Sequence, residues 1–239
     1  MIGIVDMHCH ILPGLDDGAK NWNVAWKMIQ REYDQGVRRI IFTPHYRERY
    51  FEVDQRDAVR QYNQMRSLLA RMNMKLRVHL GCECHSHDRM VEHLQSGECL
   101  TMAQSKYVLI EFSSAHNFPK IRNRIYELVK SDYKPIIAHI ERYPCIVEDI
   151  EKVKELIELG AYIQVNADSL LGLESNRIKK FCRQLMKADW IHFIGSDTHD
   201  CVDRISNIGK CAKMVEHKMG VSYATRIFYD NPMKIVRKE

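Results

Sequence analysis

The chain has 239 residues, 45% of them apolar, with 36 Lys+Arg against 31 Asp+Glu and a formal net charge of +5. The eight cysteines are scattered through a long sequence, which excludes a small disulfide scaffold, and no apolar run approaches the roughly 20 residues of a membrane span. The length suits one α/β barrel, and the basic excess is compatible with anionic partners such as phosphates without requiring them.

Short apolar, β-branched segments of strand length recur along the chain, at residues 3–6, 38–43, 76–82, 107–110, 135–138, 161–165 and 190–195. Helical spacing fills several of the intervals. NVAWKMIQREYDQG sets Val24, Met28 and Tyr33 near one face, with Gly36 as a stop signal. DQRDAVRQYNQMRSLLARMN repeats apolar residues at three and four. EDIEKVKELIELGA ends on Gly160, and NRIKKFCRQLMKAD and RISNIGKCAKMVEHKMG show the same pattern. Strand and helix in alternation predict βαβ units and a parallel sheet. The expected architecture is an α/β, distorted TIM-like barrel of about seven parallel strands in a single domain over residues 1–239; an open doubly wound sheet is the alternative. Dinucleotide and P-loop glycine fingerprints are absent from the sequence.

The residues just past each strand are chemically alike. The first strand leads to His8 and His10 in VDMHCH, and then to Asp16 and Asp17 in GLDDGA. Later strand ends bring His45 in TPHY, Glu83 in GCE, Glu111 in LIEF, His139 and Arg142 in AHIERY, Asn166 in QVNAD, and Asp197 and His199 in SDTH. In parallel α/β barrels the carboxyl ends of the strands carry the active site. An H-x-H at a strand end sends two imidazoles to one side, with Cys9 facing away. The collected set is His8, His10, Asp17, His45, Glu83, Glu111, His139, Asp197 and His199. That is more than one tetrahedral ion uses, so two or three ions are expected. Imidazole and carboxylate without thiolate suit Mn, Fe or Zn, and the carboxylates favour Mn or Fe.

Taken in order, DMHCHILPGLDDGA, TPHY, GCE, IEF, IAHIERY, QVNADSLLG and GSDTH resemble the PHP (polymerase and histidinol phosphatase) superfamily. Within it they resemble the manganese-dependent protein-tyrosine phosphatases of bacterial capsule and exopolysaccharide loci, over residues 4 to about 204. The resemblance implies a trinuclear centre. His8, His10 and Asp197 would hold one ion; Glu83 would bridge it to a second, held also by Glu111 and His139; Asp17, His45 and His199 would hold the third. Asp16 would either join the set or orient a histidine. Arg142 and Arg204 match arginines that contact the substrate phosphate, which suits planar guanidinium groups. The implied reaction is hydrolysis of a phosphomonoester, with Asp197, His199 or water in the site as alternative proton donors. The implied partner is the tyrosine-phosphorylated tail of a kinase of polysaccharide assembly, with no nucleic acid, no membrane insertion and a cytoplasmic location.

Other residues have weaker claims. Tyr46 and His116 are candidate substrate contacts, and Tyr46, Tyr50 and Phe51 a candidate aromatic rim. His79 and His192 are expected to pack within strands, and His85, His87, His93 and His217 to be exposed. Cys82 and Cys84, in CEC, are expected as buried reduced thiols, because no second cysteine pair stands at metal-site spacing. None of the eight cysteines has an arginine six positions later, so the thiolate mechanism of cysteine-dependent phosphatases is not expected. Two alternative functions stay open: a small-molecule phosphatase of the histidinol phosphatase kind, and a non-catalytic, metal-stabilised module.

Overall fold

The computed structural model describes residues 3–47 and 50–236. Among them run ten strands: β1 (Ile4–Asp6), β2 (Val37–Phe42), β3 (His45–Arg47), β4 (Phe51–Glu52), β5 (Arg77–Leu80), β6 (Glu83–His85), β7 (Tyr107–Glu111), β8 (Lys134–Ile137), β9 (Tyr162–Asn166) and β10 (Phe193–Gly195). They form a three-stranded sheet, β1-β2-β5, and a seven-stranded sheet, β10-β9-β8-β7-β6-β3-β4. Pairing is parallel throughout except for β3 with β4.

All seven expected strands are present, and two of them continue through a bend from one sheet into the other. β2 passes Thr43 and Pro44 into β3, and β5 passes Gly81 and Cys82 into β6. Across the bend the two chains stay in register: Gly81 N donates to Phe42 O (2.8 Å) and Glu83 N to Pro44 O (3.1 Å). Pro44 can accept there but has no N–H to offer. Gly81 is needed because a Cβ at that position would stand 2.8 Å from Met102 Sδ and 3.1 Å from Met102 Cα. On the far side, Asp197 N donates to His8 O (2.8 Å) and His10 N to Thr198 O (2.9 Å). These bonds join the carboxyl ends of β1 and β10 where no continuous ladder runs. The result is a distorted barrel-like ring of seven strand positions.

Side chains alternate across the strands as the two-residue period requires. Ile41, Leu109, Ile136 and Phe193 point to one side with Met7 and form a dry inner layer, while Ile40, Phe42, Val108, Ile110 and Ile137 join the larger core under the helices. Glu111 continues the inward row of Tyr107 and Leu109, which carries it out of the apolar layer at the strand end.

The helices start where local chemistry satisfies their first N–H groups. Asn21 accepts from Asn23 N and Val24 N before Trp22–Asp34, and Ser175 accepts from Ile178 N before Asn176–Lys187. The first of these helices buries Ala25, Met28, Ile29 and Glu32, leaving Val24 and Tyr33 only partly covered. The buried face is therefore rotated from the expected one toward small Ala25, which lets the helix come close to the sheet. A helix over Phe118–Lys130, outside the sequence expectation, is capped by Asn117, which accepts from Lys120 N, and carries a proline in its first turn.

The cysteines differ from expectation at one place. Cys84 and Cys99 are joined in a disulfide, while Cys82 stays a buried free thiol. Helix Met90–Ser96 ends at Gly97 (φ 82°), and the chain turns back there, which brings Cys99 onto β6. Among the described residues no helix is long and apolar enough to cross a membrane.

Candidate metal centre

The nine proposed ligands come from six separate strand ends and meet at one rim. His8 and His10 lie just past β1, and their Nε2 atoms stand 3.3 Å apart. Cys9 turns the other way, its thiol 3.7 Å from Ile41 O. Glu83 lies at the centre: Oε2 is 3.2 Å from His8 Nε2, 3.3 Å from His10 Nε2 and 3.1 Å from His45 Nδ1, and Oε1 is 2.8 Å from His139 Nε2. Asp197 Oδ1 is 3.5 Å from both His8 and His10. Asp17 Oδ1 is 3.4 Å from His45 Nε2 and 3.5 Å from His199 Nε2. Glu111 stands 3.8 Å from His139 and 4.0 Å from His45.

Three ligand groups, each with atoms within 4.8 Å of one another, emerge: His8, His10, Glu83 and Asp197; His10, Asp17, His45 and His199; His45, Glu83 and Glu111. The grouping differs from the expected one in three ways. His10 belongs to two groups, His45 leans toward Glu83 and Glu111 as well as toward Asp17, and His139, expected with Glu83 and Glu111, is in none of the three although it contacts Glu83 at 2.8 Å.

Around this rim a second set of groups fixes the imidazoles. His8 Nδ1 donates to Gln164 Oε1 (3.2 Å), His10 Nδ1 to Asp16 Oδ2 (2.7 Å) and His199 Nδ1 to the Asp197 carbonyl (2.9 Å). In each ring Nε2 is thereby left to face the centre as a lone-pair donor, the usual arrangement of a metal-binding histidine. Gln164 also accepts from His139 N (2.7 Å) and donates to Asn166 Oδ1 (2.8 Å), and Asn166 Nδ2 donates to Asp197 Oδ2 (2.8 Å). QVN on β9 is thus a two-residue-period pair of orienting side chains. Asp16 is the orienting member of the DD pair, since its Oδ2 also accepts from His45 N (2.9 Å) and its Oδ1 from Gly18 N (3.0 Å). A Cβ on Gly18 would lie 2.1 Å from His10 O, so this loop closes only over glycine.

Two of the ligand positions have left-handed backbone, His139 (φ 32°) and Asp197 (φ 52°). Non-glycine residues rarely adopt it, and such strain concentrates at functional sites. The chemistry of the donors fits divalent cations. Glu83 Oε2 and His199 Nε2 are buried without a hydrogen-bond partner, and a cation is what satisfies a buried carboxylate oxygen and an imidazole lone pair together. Burial alone would raise the Glu83 carboxyl; the adjacent imidazoles of His8, His45, His10 and His139 outweigh it and hold it well below the usual range. Burial pushes Glu111 up to about 7, with neighbouring Glu83 adding to the rise. Crowded negative charge of this kind is relieved when a cation binds.

The rim opens into a cavity of about 350 Å³ bordered by Asp17, His45, Glu83, Glu111, His139, Asp197 and three arginines, Arg47, Arg142 and Arg204. Arg142 Nη1 contacts Asp197 Oδ2 at 2.8 Å and Arg204 reaches Asp17 and Asp197 at 3.5 Å. Arg204 is held in place by its own loop. Thr198 Oγ1 and His199 N donate to its carbonyl, and Asp200 Oδ1 accepts from Arg204 N (3.0 Å). Arg47 is a cavity residue that the sequence reading misses. Its signal is the H-x-R spacing with His45 on a strand, the same parity as H-x-H.

Other expected contacts fall elsewhere. Tyr46, between His45 and Arg47, is buried on the opposite face of β3, its hydroxyl 2.7 Å from His93 Nδ1. His116 is half-buried beside Phe112 and His85 and does not border the cavity. Tyr50 is exposed under the Arg47 guanidinium; residues 48 and 49 and the Phe51 side chain of the expected rim lie outside the described residues. His217 is exposed as expected, but His93 is 3% exposed and His85 and His87 are half-buried, because β6 runs on to His85 and His93 sits on the buried face of helix Met90–Ser96, its ring 4.7 Å from that of His87.

A parallel α/β ring with adjoining clusters of candidate cation ligands and three arginines at the carboxyl ends of its strands has the build of a metal-dependent hydrolase of the barrel class. Comparison with known proteins narrows the class to a family. The model of the capsular polysaccharide synthesis family CpsB/CapC matches residues 4–237, and the chain belongs to that family. It is 30% identical to the tyrosine-protein phosphatase CpsB of Streptococcus pneumoniae, over 98% of both chains. It is 31% identical to the tyrosine-protein phosphatase YwqE of Bacillus subtilis, over 91% of this chain and 85% of YwqE. Among solved structures, one from a study of YwqE and CpsB, described as unique metal-dependent tyrosine phosphatases, superposes with a TM-score of 0.90 at 30% identity, covering 98% of this chain and 94% of that one. The histidinol phosphate phosphatase of Lactococcus lactis shares the fold, with a TM-score of 0.61 at 14% identity over 92% of this chain and 95% of that one.

Proposed function

We propose that this chain is a metal-dependent protein-tyrosine phosphatase, with residues 1–239 acting as one catalytic unit. The observation that carries the reading is the cavity that six of the proposed cation ligands, among them buried Glu83 with its unsatisfied oxygen, share with three arginines. Its relatives are tyrosine phosphatases by name, and that supports the substrate class. The proposed substrate is a phosphotyrosine segment of a kinase of polysaccharide assembly, and the proposed metal is Mn in two or three sites built from the nine residues of the rim.

Divalent cations bound by such ligands make hydroxide available from water near neutral pH. The protein's own contribution is binding, orientation and charge. Arg142, Arg204 and Arg47 supply donors to the phosphoryl oxygens, where charge builds up in the transition state. Asp197 Oδ2 accepts from both Asn166 Nδ2 and Arg142 Nη1, so one carboxylate ties a proposed ligand to a proposed phosphate contact. Those bonds suit an ionised carboxylate better than a proton donor. A tyrosine ester tolerates this, because its phenolate leaving group has a pKa of about 10 and needs little acid assistance. Beneath the rim, the layer of Met7, Ile41, Leu109, Ile136 and Phe193 keeps water from the strand side.

The test compares a phosphotyrosine peptide, a phosphoserine peptide and histidinol phosphate on the Mn-loaded protein. The phosphotyrosine peptide is expected to turn over fastest, and His139→Ala to lower turnover about 100-fold or more with the fold retained by circular dichroism. A preference for histidinol phosphate would replace the substrate class. No turnover of any phosphoester with metal bound would leave a non-catalytic module.

A further inference from the structure

The sequence motif that the metal centre leaves unused is CEC. Cys82 and Cys84 flank Glu83 and project from the opposite face of β6, by the alternation of a strand. There they meet Cys99. Cys82 Sγ is 3.2 Å from Cys84 Sγ and 3.3 Å from Cys99 Sγ, and Cys84 and Cys99 are bonded to each other. All three are buried. A staple between β6 and the next segment needs two cysteines; the third thiol does a separate job. Cys82 Sγ accepts from Leu100 N (3.1 Å) and donates to Leu100 O (3.0 Å), latching the residue after Cys99 to the residue before Glu83. The pair lies directly under the surface, because Glu98 is exposed and Leu100 half-buried on either side of Cys99.

We propose that Cys84 and Cys99 form a reversible redox modification site whose state is transmitted to Glu83. The inference rests on the reading of Glu83 as a cation ligand. With a peroxide as oxidant the chemistry balances. The Cys99 sulfur attacks one peroxide oxygen, the O–O bond breaks, and a sulfenic acid forms as one water leaves. The Cys84 sulfur then attacks that sulfur, the S–S bond forms, and the sulfenic oxygen leaves as a second water. Two thiols are oxidised, one peroxide is reduced, and the thiol protons end in water.

Reduction reverses the geometry. The sulfurs must move from a bond of about 2 Å to a van der Waals contact of roughly 3.5–4 Å. The surrounding pocket has no solvent to give way: Met90 and Cys82 are buried against the same core. Because the Cys82 thiol holds Leu100 to the strand, the displacement falls on the strand that carries Glu83. Glu83 reaches four histidines at 2.8–3.3 Å, so a small shift of β6 alters the centre of the cation site. The bridged state is the one in which that convergence is present.

The experiment uses the full chain, oxidised with hydrogen peroxide or reduced with a phosphine, with reagent removed afterwards. Alkylation and intact mass are expected to count eight thiols after reduction and six after oxidation. Free Mn²⁺ is then titrated by its paramagnetic resonance signal. Reduction is expected to weaken Mn²⁺ binding about tenfold, the size of effect seen for groups that orient ligands. Cys99→Ser is expected to bind at the reduced level whether or not peroxide is added. Equal affinity in the two states of the wild type would overturn the proposal, with no variant needed. So would eight alkylated thiols after peroxide, or a Cys99→Ser protein that responds as the wild type does. Redox-dependent Mn²⁺ binding in a protein that hydrolyses no phosphoester would support this proposal while removing the phosphatase reading.

Discussion

At the scale of single residues, the site is governed by which nitrogen each imidazole presents. His10 is the clearest case. Burial would push its pKa down, but the Asp16 carboxylate and Glu83 more than offset this and raise it well above the usual value. Asp16 therefore does two things: it fixes the ring, with Nδ1 at 2.7 Å, and it supplies the charge that makes Nε2 a better donor to a cation. Asp16→Asn keeps the shape and removes the charge. It is expected to lower Mn²⁺ affinity or turnover about 10- to 100-fold, measured by metal titration and steady-state kinetics on a phosphotyrosine peptide. Unchanged values would reduce Asp16 to a loop-closing role through His45 N and Gly18 N. The arginines obey similar logic. Arg142 is anchored by Asp197 and so is aimed before any substrate arrives.

At the scale of elements, the bends between β2 and β3 and between β5 and β6 bring His45 and Glu83 to the rim. A straight continuation of β5 would carry Glu83 along the original sheet, away from His139 at the end of β8, two strands along the larger sheet. The bend depends on Gly81, where the Met102 backbone and sulfur occupy the space a side chain would need. Gly81→Val is expected to destabilise the protein by about 1–3 kcal/mol, the range for overpacking, as a fall in the urea midpoint at unchanged m. Activity is expected to fall further than stability, because the same strand aims Glu83. An unaltered midpoint would mean that Met102 moves aside freely and that the bend has another cause.

At the scale of the whole molecule, the rim is where the ring of strands is held together without a full ladder. The carboxyl ends of β1 and β10 are joined by a few backbone bonds around residues 8–10 and 197–198, and these residues carry His8, His10, Asp197 and His199. A cation held by these side chains would tie the two ends together as well. A cation that binds the folded chain and not the unfolded one would stabilise it by mass action, about 2.7 kcal/mol at a concentration 100 times Kd. A chelator is expected to lower the melting temperature and added Mn²⁺ to restore it, monitored by scanning calorimetry. A melting temperature indifferent to chelator and metal would mean that the site contributes nothing to closing the ring.

The alternation of strands and helices can be read along the chain, and so can the ligand-type residues just after the strands. Both arise from local rules: β-branched apolar runs need burial on a sheet, and polar side chains cannot stay in the apolar layer, so they collect where strands end. His8, His10 and Asp197 were legible in that way as members of one pooled ligand set, while their grouping came only from the family resemblance. Only the tertiary structure decided the rest. Gln164 orients His8 from 156 positions away, a distance no spacing records, and the fold decides that Asp16 orients His10. Tyr46 faces away from the site because strand parity sends it to the side opposite His45. Cys99 joins Cys82 and Cys84 because the chain reverses at Gly97 and lays a distant thiol on β6. Each of these depends on which segments lie next to one another, a property that belongs to the packed ring and to no stretch of the chain alone.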